Sequence, residues 1–456
     1  MLLAFSAHES VGSLKTAAHP SQRVPTRIVS HLERHNELHL AIPTNVPTAV
    51  IILKPSAATL DYVPKQSVLH VGKFYRPHLG GIETHVEALC QGLRKSMDVR
   101  VLVASNRRWG EECVIDGVPV TRVHVPISIA GAPICPGMLW HIRKNRPDII
   151  HLHLPNPTGA LAVLASGYRG RVVVTWHSDI VRQRRLARLY QPIERLLLRQ
   201  CAAIVASTPA YIASSPVLRE HADRCHSIPF GIDAEQFDDR HVDQSLVREL
   251  RQRFGPRMIL SVGRLVYYKG IQFLIQAMAK VDAKLVIIGE GPMRPALEQE
   301  VAARGIADRV TFLGRINDHL TTYFHAADVF ALPSCERSEA FGIVQLEAMA
   351  SGKPVINTQI DSGVPYVSLD GITGITVQPR SSDAMAAALN RLFDNPELRR
   401  RMGHAGRHRV QTEFNLELMV RRTIDIYEKV GGRAIDPHFE SKGAARAKFS
   451  SHAARQ

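Results

Sequence analysis

Short apolar runs alternate with helix-like stretches along most of the chain, and this alternation limits the possible folds more than any other feature. A first series runs from Ser67 to Ser207, and a second runs from Met258 to Asn357. Such alternation is typical of parallel βαβ units. Two series in one chain predict an α/β protein with two doubly wound, Rossmann-like domains that face a central cleft, the usual place for a ligand.

The same pattern divides the chain into five segments. Residues 1–65 hold Pro, Ser, Thr and His with weak periodicity and are predicted to be a poorly ordered extension. The two Rossmann-like domains are predicted at 66–232 and 233–412. Residues 413–431 are predicted to form a helix that packs back toward the first domain, and 432–456 a disordered basic tail.

Positive charge is unevenly distributed along the chain. The net charge is +15; residues 67–230 contain 21 Lys and Arg against 11 Asp and Glu, whereas residues 231–430 contain 25 of each. The first part is therefore expected to face an anionic partner. Within it, Asp179–Arg199 is predicted to be a basic amphipathic helix that suits an anionic membrane surface or a lipid pyrophosphate acceptor. A core-packed helix with a solvated arginine face fits the pattern equally well.

Cysteine usage and hydropathy bear on the compartment. The six cysteines include no C-x-x-C pair, and no Cys/His cluster has the spacing of zinc ligands. They are expected to be reduced thiols, and no metal site is predicted. No apolar stretch is long enough to predict a membrane span. We therefore expect a cytoplasmic protein, compatible with peripheral attachment to the inner face of the plasma membrane.

Two cations lie in one glycine-bounded loop. Arg264 and Lys269 fall within Gly263–Gly270, directly after the apolar run Ile259–Val262. The loop therefore lies at the carboxyl end of a predicted strand, where open α/β sheets bind ligands. A guanidinium and an ammonium there could neutralise a diphosphate leaving group without a metal ion. Taken alone, the loop is equally compatible with a solvated surface turn.

Two carboxylates, Glu339 and Glu347, stand eight positions apart. On a single helix they would be separated by about 12 Å, which exceeds the roughly 5–9.5 Å of a glycosidase acid/base pair. They are better interpreted as hydroxyl anchors for one extended ligand. Gly342 is predicted to open a helix whose free N–H groups face an anion. An amphipathic helix that simply packs on the core is compatible with the same pattern.

Four motifs in a fixed order resemble glycosyltransferase family 4. They are the E-x7-E element, the upstream cations, the P-x-x-G-G-I-E-x-H run at Pro77–His85, and Gly289–Pro292. The resemblance covers about residues 67–430. It implies the GT-B fold and a retaining, metal-independent hexosyl transfer. The donor would be a nucleotide diphosphate sugar, with no further cofactor, and the acceptor a lipid-linked saccharide or polysaccharide.

The resemblance also implies roles for individual residues of the second domain. Glu339 would bind hydroxyls of the donor sugar and Glu347 the ribose, while Arg264 and Lys269 would hold the diphosphate. The nucleobase would lie near Gly289–Pro292, which includes Gly291, and near Leu313–Ile316, in which Arg315 is a weaker candidate. Further phosphate and sugar contacts would come from the backbone N–H groups around Phe341, Gly342 and Ile343.

From the first domain, Gly80 and Gly81 would approach the donor across the cleft. His177 ends a predicted strand and matches the family histidine that reaches the donor sugar. Without that match, a histidine at a strand end is more often simply packed or solvated. The resemblance thus implies a catalytic set of His177, Arg264, Lys269 and Glu339.

The donor is less well specified than the fold. Many relatives carry Gly-Gly and an acidic residue after the strand at Val355–Asn357, whereas this chain has Asp361–Tyr366 there. Ser338–Gly342 and Ser362–Tyr366 resemble a branch of the family found in bacterial O-antigen, lipopolysaccharide and exopolysaccharide assembly. That branch favours mannosyl-type transfer from a GDP-sugar. A UDP-sugar donor is the alternative.

Other classes of protein fit the sequence less well. A dinucleotide dehydrogenase needs G-x-G-x-x-G, and the third glycine is missing after Gly289 and Gly291. A phosphorylase or a sugar epimerase would share the fold but not the assembled cations and carboxylates. A basic nucleic-acid- or membrane-binding protein without catalysis is the remaining alternative. No nucleic-acid partner is predicted, because the chain lacks aromatic and basic interleaving or a recognised motif.

Overall fold

A computed structural model describes residues 65–78, 80–105, 109–129, 131–179, 184–316 and 318–431. The side chains of 184–187 are excepted. The predicted extension at 1–65, save its last residue, and the predicted tail at 432–456 lie outside the described residues.

The first domain is built on a largely parallel sheet. Its strands are β1 (Ser67–Val71), β2 (Asp98–Ala104), β3 (Glu111–Ile115), β4 (Val118–Val123), β5 (Ile127–Ile129), β6 (Ala132–Ile134), β7 (Ile149–Leu154), β8 (Arg171–Trp176), β9 (Ala203–Ala206) and β10 (Cys225–Ser227). Eight of them form one sheet in the order β10-β9-β8-β7-β1-β2-β4-β3, in which only β3 runs antiparallel to its neighbour. Strands β5 and β6 form a separate antiparallel pair.

Helices connect and cover these strands. They are α1 (Gly81–Leu93), α2 (Gly137–Asn145), α3 (Pro157–Ala165), α4 (Arg184–Gln200), α5 (Pro209–Ser214) and α6 (Pro216–Arg219). All six residues of β7 are buried, as expected of a central parallel strand covered on both faces. Helix α3 starts where the Asn156 side chain accepts a hydrogen bond from the Gly159 N–H at 3.0 Å, which caps its first turn.

The second domain has a fully parallel six-stranded sheet. Its strands are β11 (Met258–Val262), β12 (Lys284–Ile288), β13 (Val310–Gly314), β14 (Val329–Ala331), β15 (Val355–Thr358) and β16 (Gly374–Val377). Their spatial order is β13-β12-β11-β14-β15-β16. Its helices are α7 (Gln244–Phe254), α8 (Ile271–Ala277), α9 (Arg294–Ala303), α10 (Leu320–Ala326), α11 (Val344–Ala350), α12 (Val364–Val367), α13 (Ser382–Asp394) and α14 (Pro396–Glu413). The prediction of two doubly wound domains is confirmed.

The last described helix, α15 (Leu416–Gly431), returns to the first domain. Val420 and Tyr427 belong to the same buried cluster as Val68 of β1 and Leu89 of α1. A Cβ on Gly92 of α1 would collide with the Val420 side chain, so the two helices can approach closely only because that residue is glycine. The chain crosses between the domains twice, and the crossings pair where the Ile232 N–H donates to the Phe414 carbonyl at 2.9 Å.

Within the part of the chain that the structure describes, no helix combines the length and the apolar character that a membrane crossing requires.

Candidate active site

Two loops at the carboxyl ends of β11 and β12 support each other. The Leu265 N–H donates to the Glu290 carbonyl at 2.9 Å. A Cβ on Gly291 would collide with the Leu265 backbone, so glycine is needed for the loops to touch. Gly291, predicted to lie near the nucleobase, therefore supports the loop that carries Arg264 and Lys269. The Gly289 N–H in turn donates to the Gly314 carbonyl at 2.7 Å.

Lys269 and Glu339 form an ion pair in this region. Their Nζ and Oε2 atoms are 2.5 Å apart, and the two side chains are only 13% and 11% exposed. The Ser334 hydroxyl donates to the same carboxylate oxygen at 3.0 Å. Burial is the largest single influence and would lower the pKa of Lys269, but Glu339, Tyr268 and Glu347 together outweigh it and hold that pKa above its usual value. The ammonium is therefore charged at neutral pH.

The loop geometry that brings this pair together depends on Gly270. Its φ is +64°, and a Cβ there would collide with the Pro333 carbonyl. The Cys335 N–H donates to the Tyr268 carbonyl at 2.8 Å. These contacts join the loop after β11 to the loop after β14, so the two charged side chains meet although 70 positions separate them in sequence.

Glu347 lies beyond the pair, on α11, and is half-buried. Burial raises its pKa to about 7, and the Lys269 ammonium opposes that rise. Both carboxylates thus lie in the field of one ammonium. Glu339 precedes the helix, so the spacing of about 12 Å along one helix does not apply. The helix begins at Val344, two residues after the predicted start at Gly342, because Gly342 has a φ of +73° and forms a turn instead.

The turn before α11 faces the first domain. Phe341 is buried and its ring lies 4.9 Å from the ring of Phe230. A Cβ on Gly81, the first residue of α1, would lie 3.9 Å from Cδ1 of Ile343. Gly80 precedes it with extended backbone. The structure therefore brings the predicted elements of the two domains, Gly80 and Gly81 on one side and Phe341 to Ile343 on the other, to facing positions.

The remaining predicted cations are more exposed. Arg264 and Arg315 are both exposed, after β11 and β13 respectively. A further cation, Lys73, follows β1 in the first domain, and burial lowers its pKa, with Glu83 opposing and Arg264 adding to the effect. Sequence reasoning missed Lys73, although its place directly after a predicted strand was a usable signal.

His177 lies at the end of β8 and is only 3% exposed. Its Nε2 atom is 3.1 Å from Nδ1 of His153, and its ring centroid is 5.5 Å from that of Phe230. Its own Nδ1 atom has no hydrogen-bond partner among the described residues. Burial, followed by the neighbouring His85, keeps the pKa of His177 well below its usual value. The ring is therefore neutral at physiological pH.

A cluster of buried histidines surrounds His177 and was missed from the sequence. It comprises His70, His85, His151, His153 and His177. The nitrogens of His70, His151 and His153 lie within 4.8 Å of one another, as do those of His85, His153 and His177. The alternation of histidines in the β7 sequence, I-I-H-L-H-L, was the available signal, since residues two apart in a strand share one face.

Comparison with known proteins agrees with this architecture. A family profile described as "Glycosyl transferase 4-like domain" matches residues 80–231, and one described as "Glycosyl transferases group 1" matches residues 244–409. The O-antigen chain mannosyltransferase C of Escherichia coli is 34% identical over 365 residues, which are 79% of this chain and 97% of that protein. The D-rhamnosyltransferase WbpZ of Pseudomonas aeruginosa is 32% identical over 76% of this chain and 92% of that one. The chain belongs to glycosyltransferase family 4.

Solved structures of lower sequence identity share the fold of this family 4 glycosyltransferase. Sucrose-phosphate synthase from Thermosynechococcus elongatus superposes with a TM-score of 0.68 at 23% identity, over 81% of this chain and all of that one. Anabaena Alr3699/HepE in complex with UDP gives 0.65 at 19% identity, over 80% of this chain and all of that one. The predicted GT-B fold is confirmed.

An ion pair joins the two domains of the glycosyltransferase beside the cleft. Arg337 Nη2 lies 2.7 Å from Asp179 Oδ2, and the Arg337 Nη1 group donates to the Ser214 carbonyl at 3.3 Å. Asp179 is also held by the Ser215 hydroxyl at 2.9 Å. Asp179, the predicted first residue of the basic helix, has no regular secondary structure, and α4 is described from Arg184 to Gln200, with 180–183 outside the described residues.

Helix α4 has a buried side and a mixed outer side. Tyr190, Leu197 and Leu198 are buried. Leu189 and Leu196 are 76% and 48% exposed. Apart from Gln200 at the end of the helix, the exposed side chains described recur at helical spacing and combine cations with apolar groups: Arg188, Leu189, Pro192, Arg195, Leu196 and Arg199. The helix therefore packs on the core and also presents a basic, apolar stripe to the outside.

Proposed function

We propose that this glycosyltransferase transfers a hexose, of mannosyl type, from a GDP-sugar to a lipid-linked saccharide or polysaccharide acceptor in cell-surface glycan biosynthesis. The anomeric configuration would be retained. The observation that carries the proposal is the buried Lys269–Glu339 pair at the cleft, 2.5 Å between charged atoms, with Glu347 in the field of the same ammonium. One cation and two carboxylates supply contacts for a diphosphate and for hydroxyls.

The cations suit a diphosphate leaving group. An ammonium has three N–H donors, so Lys269 can keep its bond to Glu339 and still donate to phosphate oxygens. The Arg264 guanidinium can add a bidentate contact from the same loop. Charge that develops on the departing diphosphate would then be stabilised by groups already in place. On this proposal the reaction needs neither a metal ion nor a further cofactor.

The carboxylates suit hydroxyl groups. Both contacts of Glu339, to Lys269 and to Ser334, use Oε2, which leaves Oε1 outside them. We assign Oε1 to a hydroxyl of the donor sugar and Glu347 to the ribose. The backbone N–H groups from Phe341 to Ile343 and the facing Gly80 and Gly81 would close around the diphosphate and sugar, while Gly291 and Arg315 would lie toward the nucleobase.

Relatives support the choice of donor. The Escherichia coli relative, 34% identical, is named for mannosyl transfer, and the Pseudomonas aeruginosa relative, 32% identical, for D-rhamnosyl transfer. A Mycolicibacterium smegmatis relative, 28% identical over 365 residues, is named as a GDP-mannose-dependent phosphatidylinositol monomannoside mannosyltransferase. These names favour a GDP-sugar and a lipid-linked acceptor. A UDP-sugar is the alternative donor.

A nucleotide screen followed by a transfer assay tests the donor. Thermal unfolding is recorded with GDP, UDP, ADP and no nucleotide, since a ligand at 100 times its Kd stabilises by about 2.7 kcal/mol. We expect GDP to raise Tm most and GDP-mannose to be consumed, with an α-linked product from the α-configured donor by NMR. Stabilisation by UDP alone would select the alternative donor, and an inverted product would refute retention.

Metal dependence is tested separately. We expect turnover to continue in excess EDTA, because Arg264 and Lys269 take the place of a divalent cation. Loss of turnover in EDTA that manganese restores would show that these cations do not replace a metal ion.

Membrane attachment is the last part of the proposal. The outer stripe of α4 combines Arg188, Arg195 and Arg199 with the exposed Leu189 and Leu196. Basic and apolar groups on one helix face favour an anionic bilayer surface. We propose a peripheral enzyme on the cytoplasmic side of the membrane, where a lipid-linked acceptor is presented to the first domain.

A further inference from the structure

A continuous series of buried side chains links the C-terminal helix to His177. Tyr427 Oη of α15 lies 2.5 Å from Nδ1 of His151 and 3.5 Å from Nε2 of His70. His70 Nδ1 is 3.0 Å from Nε2 of His153. His153 Nδ1 is 3.1 Å from Nε2 of His177. Two imidazoles, on β1 and β7, thus connect the Tyr427 phenol to His177, the candidate active-site histidine.

Burial keeps these rings neutral. It lowers the pKa of His70 to about 3 and holds those of His151, His153 and His177 well below the usual value. A neutral imidazole has one N–H and one lone pair. Each ring can therefore donate on one side and accept only on the other. The whole series must run in a single direction, and the group at one end sets that direction.

Tyr427 is the group that sets it. A phenol has one proton, and its 2.5 Å contact to His151 Nδ1 is compatible with either direction. We assign the phenol as the donor, because the opposite assignment reverses every bond of the series and leaves an orphaned N–H on the buried Nδ1 of His177. With Nδ1 accepting, His151 carries its proton on Nε2 and donates to Thr175 Oγ1 at 2.6 Å. The phenol oxygen then offers only lone pairs to His70.

The direction follows through the remaining rings. His70 donates from Nε2 to the phenol, because two facing lone pairs in a buried site would repel. His70 Nδ1 therefore accepts from His153 Nε2, and His153 Nδ1 accepts from His177 Nε2. His177 is left with a lone pair on Nδ1, the buried atom that lacks a partner among the described residues. An unpaired acceptor is also tolerated better than an orphaned N–H.

We infer that Tyr427 is a positioning residue that, through His70 and His153, holds His177 as the tautomer with Nδ1 free to accept a hydrogen bond from a hydroxyl of the donor sugar. The inference rests on the proposed function for the identity of that hydroxyl. The tautomer itself does not depend on it. A residue of the C-terminal helix would thereby take part in the reaction without touching the substrate.

The same cluster has one competing use, a metal site at His85, His153 and His177, whose nitrogens lie within 4.8 Å of one another. Both nitrogens of His153 are already engaged, one with His70 and one with His177. A metal ion there would have to break the series. The observations therefore favour hydrogen bonding, and metal binding becomes an outcome of the test.

Nitrogen-15 NMR of the histidine rings in the full-length protein reads the tautomer directly. The His177 signals, assigned by their loss in His177→Asn, should show a protonated Nε2 and an unprotonated Nδ1. Tyr427→Phe removes the phenol proton and should shift His177 toward the other tautomer. Tyr190→Phe is the matched control, since Tyr190 is also buried and its hydroxyl has no partner in the described part of the chain. It should leave the His177 signals unchanged.

Kinetics provide the second readout. Tyr427→Phe should lower kcat of sugar transfer about ten-fold, which is the scale of one hydrogen bond, with little change in Tm. Tyr190→Phe should keep the wild-type kcat. A wild-type His177 protonated on Nδ1, or a tautomer that Tyr427→Phe does not move, would overturn the inference without any variant needing to be active. Stoichiometric metal in the purified protein, bound at these rings, would overturn it too. If no sugar is transferred at all, the proposed function fails while the NMR still decides the tautomer.

Discussion

The two sides of the cleft differ in chemistry. The second domain contributes charge, with the Lys269–Glu339 pair at 2.5 Å and Glu347 nearby. The first domain contributes buried neutral rings, with His177 joined to His153 and His70. The net charge of the two parts of the sequence shows the opposite distribution. Residues 67–230 contain 21 cationic and 11 anionic residues, whereas residues 231–430 contain 25 of each. Bulk charge therefore does not locate the reacting groups.

This difference suggests a division of labour. A diphosphate that departs gains charge and is stabilised by cations that are already oriented. A cation beside a sugar ring that becomes electron-poor would be repelled by the developing positive charge. A neutral hydrogen-bond acceptor can orient the hydroxyls of the ring without this repulsion. The basic excess of the first domain must then act outside the cleft, and the outer stripe of α4 is where the structure places part of it.

The largest effect is expected on the charged side, from Glu339→Gln. The amide loses the charge that pairs with Lys269 and binds a sugar hydroxyl less strongly in the transition state. We expect kcat to fall by about 10²–10³, the scale of losing one transition-state contact, measured at saturating donor.

The control for this change is Glu336→Gln in the same loop, because Glu336 pairs with Arg380 instead, at 2.9 Å. It should keep kcat close to wild type. Removal of one partner of a buried pair also destabilises, so Tm of both variants must be recorded. A folded Glu339→Gln enzyme with near-normal kcat would remove Glu339 from the catalytic set.

The second effect concerns the basic excess of the first domain. Reversal of Arg188 and Arg199 to Glu should weaken binding to anionic vesicles by at least about 30-fold, since each cation near an anionic surface contributes about 1 kcal/mol. Cosedimentation with phosphatidylglycerol-containing vesicles measures it, and transfer to a soluble acceptor should persist.

Helix α7 offers a matched control. Arg248 and Arg253 are exposed on the second domain, and their reversal changes the net charge equally. It should leave vesicle binding nearly intact. Equal losses from both pairs would mean that net charge alone drives binding, and no loss from either would assign the outer side of α4 to solvent.

Third, Glu347→Gln should raise the KM for donor about ten-fold with little change in kcat. On the proposed assignment of Glu347 to the ribose, its contact contributes uniform binding, because the ribose changes little between ground and transition states. Initial rates over a donor series separate the two constants. A fall in kcat with intact donor affinity would exchange the roles of Glu347 and Glu339.

Much of the fold could be predicted from the sequence because parallel strands read as apolar runs. The cations at Arg264 and Lys269 follow β11 as expected. The edge strand β3 was harder to predict from the sequence, because its residues alternate between partly buried and exposed and form no apolar run. Leu189 and Leu196 were also misleading, since apolar residues on a helix predict a buried face and these two are exposed.

The contacts within the site could not be predicted by spacing. Lys269 and Glu339 are 70 positions apart in sequence. They meet only because Gly270 allows the loop after β11 to touch the loop after β14. His70 and His153 lie on β1 and β7, and His177 directly follows β8. Their alignment depends on sheet order, in which β1, β7 and β8 are neighbours. Sequence reasoning named His177 from a family resemblance. The alternating histidines of β7 indicate a shared face, but not that this face meets His70 and His177.

The smallest expected effect is on the pH dependence of stability, which has opposite signs for Glu347 in the second domain and for the histidines in the first domain. The folded-state pKa of Glu347 is raised to about 7 from a usual 4.5, so the native protein binds more protons than the unfolded chain between those values. Its stability contribution is present below pH 4.5 and is lost as the pH rises through 7. The histidines have lowered pKa values, with His70 at about 3 against a usual 6.5. Their contribution is present above pH 6.5 and is lost on acidification.

Glu347→Gln should therefore gain Tm relative to wild type as the pH increases from 5 to 8, by about 2 °C, because glutamine cannot ionise. The control for the loss of a glutamate charge is Glu336→Gln, because Glu336 pairs with Arg380 instead of Lys269. Differential scanning calorimetry at constant ionic strength measures both. A Tm difference between Glu347→Gln and wild type that falls with increasing pH would mean that the Glu347 carboxylate is stabilised by Lys269 more than it is penalised by burial. The second domain would then hold two ionised carboxylates, which would sharpen its contrast with the neutral rings opposite.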